Sequence, residues 1–349
     1  MSVKVNKELL RDLLKKLCEL DGASGQENNI IKFIFDTIGD KCQCRVTPLG
    51  CVIAEYKGEN RAASKLMISA HMDEVGLIVT GINADGTLNI NCIGGVEADA
   101  VIGRQVRLEN GIMGSVGSCA VHNMTEEQRK TAPKFDSLYI DIGAKDREDA
   151  EKYVSLGDYA YFTCGYAERD GVIRSKAIDD RAGCAIMLAM ILENALPYDC
   201  TFAFETQEEI GLRGARTAAF DVAPDFALVL EATTAADVPL SEGDKRCCVL
   251  GEGPVVSYMD RSTIYDRELY KLSIQLAKDI GVRRQTKTVV AGGNDSGAIH
   301  ISRGGVRTCA VSVPCRYLHT PCCVINEEDY FDSYALSAAM AEEILSGRV

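Results

Sequence analysis

Four short apolar runs in this chain each stop at residues that can bind a metal ion or move a proton, and this constrains the fold more than any other feature. Lys65-Leu66-Met67-Ile68-Ser69-Ala70 runs into His71-Met72-Asp73-Glu74. Cys200-Thr201-Phe202-Ala203-Phe204 runs into Gln207-Glu208-Glu209. Phe226–Leu230 stops at Glu231, and Val306–Val313 runs out at Arg316-Tyr317-Leu318-His319. Short continuous apolar runs bounded by turn signals read as buried strands. Between them lie helix-like segments, among them the apolar stretch from Ile178-Asp179-Asp180-Arg181 to about Leu196. Alternating strands and helices predict an α/β fold with a mixed, largely parallel sheet flanked by helices. In such a sheet ligands bind where strands give way to helices, at the carboxyl ends.

Length and composition bound the remaining choices. A chain of 349 residues is long enough for two domains. From about Val75 to Cys164 short alternating runs such as Gln105-Val106-Arg107-Leu108 are punctuated by glycines, with one helical stretch at Asp146–Val154. We therefore expect residues 75–164 to form a β-rich domain inserted into a discontinuous catalytic domain, 1–74 and 165–349. That module carries no ligand-type residues at strand ends and is expected to lie away from the chemistry. The formal charge of −13 argues against nucleic acid or an anionic membrane as partner. No apolar run of 18 residues predicts a transmembrane helix, and Met1–Glu8 lacks the apolar core of a secretory signal. Fifteen cysteines, an odd number with no Cys-x-x-Cys, suit reduced thiols in a cytoplasmic protein rather than a disulfide framework.

Local signals fill in the frame. Leu9, Leu10, Leu13, Leu14, Leu17 and Leu20 recur at helical spacing. Ser24-x-x-Glu27 reads as a capping box before a second helix carrying Ile30, Ile31, Ile34 and Ile38. A helix is expected over Tyr265–Ile280 and a strand over Thr286–Val290. Asn326-x-x-Asp329 caps the last helix.

His71, Asp179, Glu209, Glu231 and His319 share one expected position, just beyond a strand at its carboxyl end. Two imidazoles and three carboxylates suit two divalent ions such as zinc or cobalt, and a shared aspartate can hold such a pair about 3.5–4 Å apart. Asp73, two residues from His71, is placed to orient its ring. Glu208 is left to accept a proton from a bridging water and pass it to a leaving amine. A lone Glu-Glu pair is more often a solvated turn; the other strand ends give it its task. The remaining histidines, His122 and His300, read as surface or packed residues. Cys322 and Cys323 lie near His319, but Pro321 turns the chain, so we read them as structural.

His71-Met72-Asp73-Glu74-Val75-Gly76, Ala177-Ile178-Asp179-Asp180-Arg181, the run from Gln207 to Ala215 and Arg316–Pro321 together resemble the signatures of the M42 family of metallo-aminopeptidases, the TET-type or glutamyl aminopeptidase-like enzymes. The resemblance spans nearly the whole chain in order. It implies the dinuclear-zinc exopeptidase type of fold, with two divalent metals, zinc or else cobalt or manganese. Asp179 would bridge them, His71 and Glu231 would complete one site, and Glu209 and His319 the other. It also implies Glu208 as general base, Asp73 in support of His71, peptide substrates cut at the N-terminus, and an inserted domain that dimerises, the dimers assembling to a hollow dodecamer. Three positions depart from the family pattern: Glu231 is more often Asp, Asn294 is usually Thr, and Cys322-Cys323 is usually an apolar-acidic pair. The close alternative is a dinuclear amidohydrolase acting on an acylated amino acid. A metal-free glycosidase would leave both strand-end histidines idle, and a metal-storing cage would not need Glu208 beside Glu209.

Overall fold

The computed structural model describes residues 3–239, 241–243 and 246–349. Its main sheet has the strand order Gln43–Val46, Val52–Tyr56, Cys200–Glu205, Leu66–His71, Phe226–Thr234, Arg307–Arg316, Cys323–Asn326, Val172–Ser175 and Ala167–Arg169. The four central strands are mutually parallel, with Thr201 opposite Met67, Phe226 opposite Leu66 and Glu231 opposite Ser312. The outer strands are antiparallel. Val172–Ser175 lies two antiparallel steps from Arg307–Arg316 and so runs the same way as the central four.

Alternation along the central strands builds two layers. Leu66, Ile68, Phe202, Phe204, Leu228 and Leu230 face the larger core, with the helices Lys7–Glu19, Asn28–Ile38, Ile178–Leu192 and Glu327–Leu345. Met67, Ala203, Ala227 and Val229 face the helices Arg213–Val222 and Ser296–Ile299. Small residues on that face let those helices approach closely. Phe202, Phe204 and Leu228 are inaccessible to solvent; burying such a side chain contributes about 1.5–3 kcal/mol. Ile178–Leu192 is buried from Ile178 through Ile191, which suits a helix that is apolar all round.

A second unit, a closed six-stranded barrel, occupies the middle of the chain in the order Gly76–Ile82, Leu88–Ile93, Leu138–Asp141, Met113–Ser118, Gln105–Leu108 and Tyr159–Phe162. Its interior is filled by Leu77, Val79, Leu88, Val106, Leu108, Val116, Ile140, Ala160 and Phe162. Closure leaves it no open sheet edge.

Several local expectations are met and two fail. Asn326 caps Glu327–Leu345, accepting from the Glu328 and Asp329 amides. The first helix buries Leu10, Leu13, Leu14 and Leu17. The Ser24–Glu27 capping box does not form: the helix Asn28–Ile38 has no side-chain cap. Ser24 instead donates to Asp73 Oδ2 at 2.6 Å, and Glu27 Oε1 accepts from the Gly25 and Gln207 amides. The expected strand Thr286–Val290 is reduced to Gln285–Thr286; beyond it the chain becomes cavity wall. Among the described residues no helix is long and apolar enough to cross a membrane.

Candidate active site

The parallel sheet brings the candidate ligands to one edge. His71 is the last residue of Leu66–His71. Asp179 begins the helix that follows Val172–Ser175, and Glu208 and Glu209 lie in the turn after Cys200–Glu205. His319 lies in the turn after Arg307–Arg316. Glu231 differs from expectation. It lies within Phe226–Thr234, because that strand continues past it in register with Ser312, and its side chain reaches the site from mid-strand.

The geometry is that of two clusters sharing one carboxylate. His71 Nε2 lies 3.2 Å from Asp179 Oδ1 and 3.5 Å from Glu231 Oε1. His319 Nε2 lies 3.3 Å from Asp179 Oδ2 and 3.4 Å from Glu209 Oε2. Each imidazole thus faces a different oxygen of Asp179. Metal-ligating atoms of His71, Asp179 and Glu231, and likewise of Asp179, Glu209 and His319, all fall within 4.8 Å of one another. A third such group joins His71, Glu208 and Glu209, so Glu208 stands beside both clusters.

Charge decides what this donor set suits. Burial pushes Glu209 up to about 8 and Glu231 up to about 7. Burial also raises Glu208 well above the usual carboxylate range, with the His71 charge pulling the other way. Asp179 is buried too, but hydrogen bonds with His319 and His71 overcome that burial and hold it below its ordinary value. Desolvation opposes a charge on His319, yet Asp179 and Glu209 lift it to about 10. These carboxylates need positive charge close by, either as protons on the imidazoles or as cations between the same atoms. Two nitrogen and three oxygen donors, each cluster holding both kinds, fit borderline divalent ions.

Asp73 does more than its sequence position suggests. His71 Nδ1 lies 3.0 Å from the Asp73 main-chain oxygen and 3.5 Å from its carboxylate. An Nδ1 proton donated there leaves Nε2 free to ligate. The Asp73 carboxylate also accepts from the amides of Glu208 at 3.0 Å and Glu209 at 3.2 Å. One buried side chain therefore sets the His71 ring and the Glu208-Glu209 turn together. Gln207 and His319 both hold φ of 57°, a left-handed conformation costing a non-glycine residue on the order of 1–3 kcal/mol. Alongside the cluster, Glu205 and Asp295 bury their carboxyl groups against each other; burial raises both, Glu205 to about 8.

The barrel is not remote from this site. Gly94 and Gly95 follow its strand Leu88–Ile93, and a Cβ on Gly94 would come within 3.2 Å of Glu209 Cβ. One on Gly95 would come within 3.1 Å of His319 Nδ1. The sequence missed this because glycines carry no ligand atoms. The other expectations concern residues outside the clusters. His122 is exposed in a short 3-10 turn, and His300 Nδ1 lies 2.8 Å from the Ser296 oxygen. All fifteen cysteines are unpaired, and neither Cys322 nor Cys323 belongs to a ligating group among the described residues. The site opens into a cavity of about 380 Å³ lined also by Thr233, Cys247, Ser257, Lys287, Asn294 and Ser312. A hydrogen bond with Cys248, helped by the Lys287 charge, pulls the Cys247 thiol down to about 6.

Comparison with known proteins agrees with the fold. A putative aminopeptidase of Acetivibrio thermocellus is 38% identical over 319 residues, 91% of this chain and 94% of the relative. Aminopeptidase APDkam598 from the archaeon Desulfurococcus kamchatkensis superposes with a TM-score of 0.91 at 30% identity, covering 98% of this chain and 96% of its own. The TET1 peptidase of Pyrococcus horikoshii, which assembles into a tetrahedron or a large octahedral shell, gives a TM-score of 0.83 at 31% identity, covering 96% and 99%. The class follows: this protein is a hydrolase of the aminopeptidase kind. The model of the M42 glutamyl aminopeptidases matches residues 50–336, and the chain belongs to that family.

Proposed function

We propose that the protein removes N-terminal residues from peptides with the help of two divalent cations, zinc or else cobalt or manganese. His71, Asp179 and Glu231 would hold one, and Asp179, Glu209 and His319 the other. The observation that carries this reading is the pair of imidazole nitrogens facing opposite oxygens of Asp179. Such ions, when bound, act as Lewis acids on the scissile carbonyl and make water a nucleophile near neutral pH. The chain's own residues do the rest. Glu208 takes a proton from the attacking water and returns it to the leaving amine nitrogen. Asp73 fixes the Glu208 amide and the His71 ring in one frame. Glu231 carries one methylene more than the aspartate expected there and folds back so that its Oε1 accepts from the Ala232 amide at 3.0 Å.

Prolonged chelation should abolish hydrolysis of amino-acid p-nitroanilides, and zinc, cobalt or manganese should restore it. Full activity in a chelator would refute the metal reading. We further propose that residues 75–164 form the unit through which copies associate, and peptide-trimming oligomers are the expected form. A monomer at all concentrations in light scattering would count against that role.

A further inference from the structure

Three consecutive amides in the turn after Cys200–Glu205 donate to buried carboxylates. Those of Glu208 and Glu209 go to Asp73, at 3.0 and 3.2 Å. The amide before them, of Gln207, goes to Glu27 Oε1 at 3.2 Å. Glu27 is buried, and the reaction above gives it no task. Among the described residues it makes no hydrogen bond or ion pair with a candidate metal ligand. Its position is well anchored. The same oxygen accepts from the Gly25 amide at 2.8 Å, and Ser24 donates to Asp73 Oδ2 at 2.6 Å. The Gly22 amide donates to Glu74 Oε1 at 3.1 Å, and the Glu74 amide returns a bond to the Gly22 oxygen at 3.0 Å. Residues 22–27 are thus fastened beside the end of Leu66–His71, and Glu27 ties the end of Cys200–Glu205 to the same place. Gln207 needs that tie. A φ of 57° persists in a non-glycine residue only where its surroundings over-determine it. Its carbonyl accepts from the Arg213 amide at 3.2 Å, and its amide is held by Glu27.

We propose that Glu27 is a positioning residue for Glu208: by accepting the Gln207 amide it fixes the left-handed start of the turn and aims the general base at the attacking water. The proposal rests on the reading of Glu208 given above. Without the acceptor, a buried N–H is left unpaired, Gln207 relaxes toward an ordinary conformation, and Glu208, the next residue, turns with it. A general base works only within hydrogen-bond reach of the proton it takes. Asp73 cannot separate this aim from metal binding, because it serves the His71 ring as well as the turn. Glu27 can, because it reaches the turn alone.

The test uses Glu27→Met, which keeps the length of the side chain and removes the acceptor, and Glu27→Gln, which keeps an acceptor oxygen. On the metal-loaded protein with amino-acid p-nitroanilides, Glu27→Met should lower kcat by about 10–100-fold, the cost of misplacing a reacting group by about 1 Å. KM should be unchanged, and both metal equivalents should remain. Glu27→Gln should restore most of the lost kcat. Glu27→Met added to Glu208→Gln should slow the enzyme no further, because residues that act as a unit are not additive. Hydrogen exchange in the peptide spanning Gln207–Glu209 should quicken in Glu27→Met and not in Glu27→Gln. If Glu27→Met does not fold, Glu27→Asp withdraws the acceptor by one methylene and should shift kcat and exchange the same way. Wild-type kcat in Glu27→Met would overturn the proposal. So would loss of a metal equivalent, an equal fall in Glu27→Gln, or a full additional fall in the double variant. If wild type hydrolyses none of the p-nitroanilides, the aminopeptidase reading fails instead. Faster exchange in Glu27→Met alone would then still support the hold on the turn, and unchanged exchange would refute it.

Discussion

Glu208→Gln should lower turnover by about 10²–10⁴-fold, the usual contribution of a positioned general base, while both metal equivalents stay bound. The amide is close in size to the carboxylate and keeps the amide-to-Asp73 hydrogen bond that holds the turn, but it cannot take a proton from water. Glu209→Gln should also silence the enzyme, for another reason. Glu209 Oε2 stands 3.4 Å from His319 Nε2 in the second cluster, and a neutral amide is a poor replacement for an anionic oxygen ligand. Metal analysis by mass spectrometry should then find one equivalent missing. Two variants that look alike in an activity assay would separate in metal content. If Glu208→Gln loses metal and Glu209→Gln keeps both equivalents, the two roles are exchanged. If both keep metal and activity, the pair is an acidic turn and the mechanism is wrong.

Asp179→Asn should have the widest effect of any single ligand change. Its two oxygens serve the two imidazoles separately, at 3.2 and 3.3 Å. Asparagine keeps one oxygen and turns the other face into an NH₂ donor pointed at a ring nitrogen. Both equivalents should therefore weaken together, and turnover should fall by at least about 10²-fold, since loss of even an outer partner of a ligand costs 10–100-fold. Retention of two equivalents at wild-type affinity would show that Asp179 does not join the clusters.

The candidate site was legible in the sequence because most of its members sit at the ends of apolar runs, and a parallel sheet gathers such ends regardless of their separation along the chain. His71 and His319 are 248 positions apart yet face one carboxylate. Glu231 was singled out for a reason that was only partly right: the strand was taken to stop there, and it continues for three residues more. Ser24 and Glu27 misled because their spacing matches a helix cap. Tertiary partners, Asp73 and the Gln207 amide, competed for the same side-chain oxygens and won. Lys287 was hidden because Thr286–Val290, rich in β-branched residues, reads as a strand, and a cavity wall has no periodicity of its own. The contact of Gly94 and Gly95 with Glu209 and His319 was invisible for a related reason: a close approach is marked by what the residue lacks.

The barrel hangs from the catalytic sheet by a very short tether. His71 ends one strand and Gly76 begins the first barrel strand, while Gly94 and Gly95 press back on ligands of the other cluster. The barrel is thus joined to one cluster through the chain and lies against the other through two glycines. If neighbouring copies hold the barrel in place, their grip and the occupancy of the two clusters become linked equilibria, each strengthening the other by the same factor. Dilution and chelation would then be two routes to one inactive state.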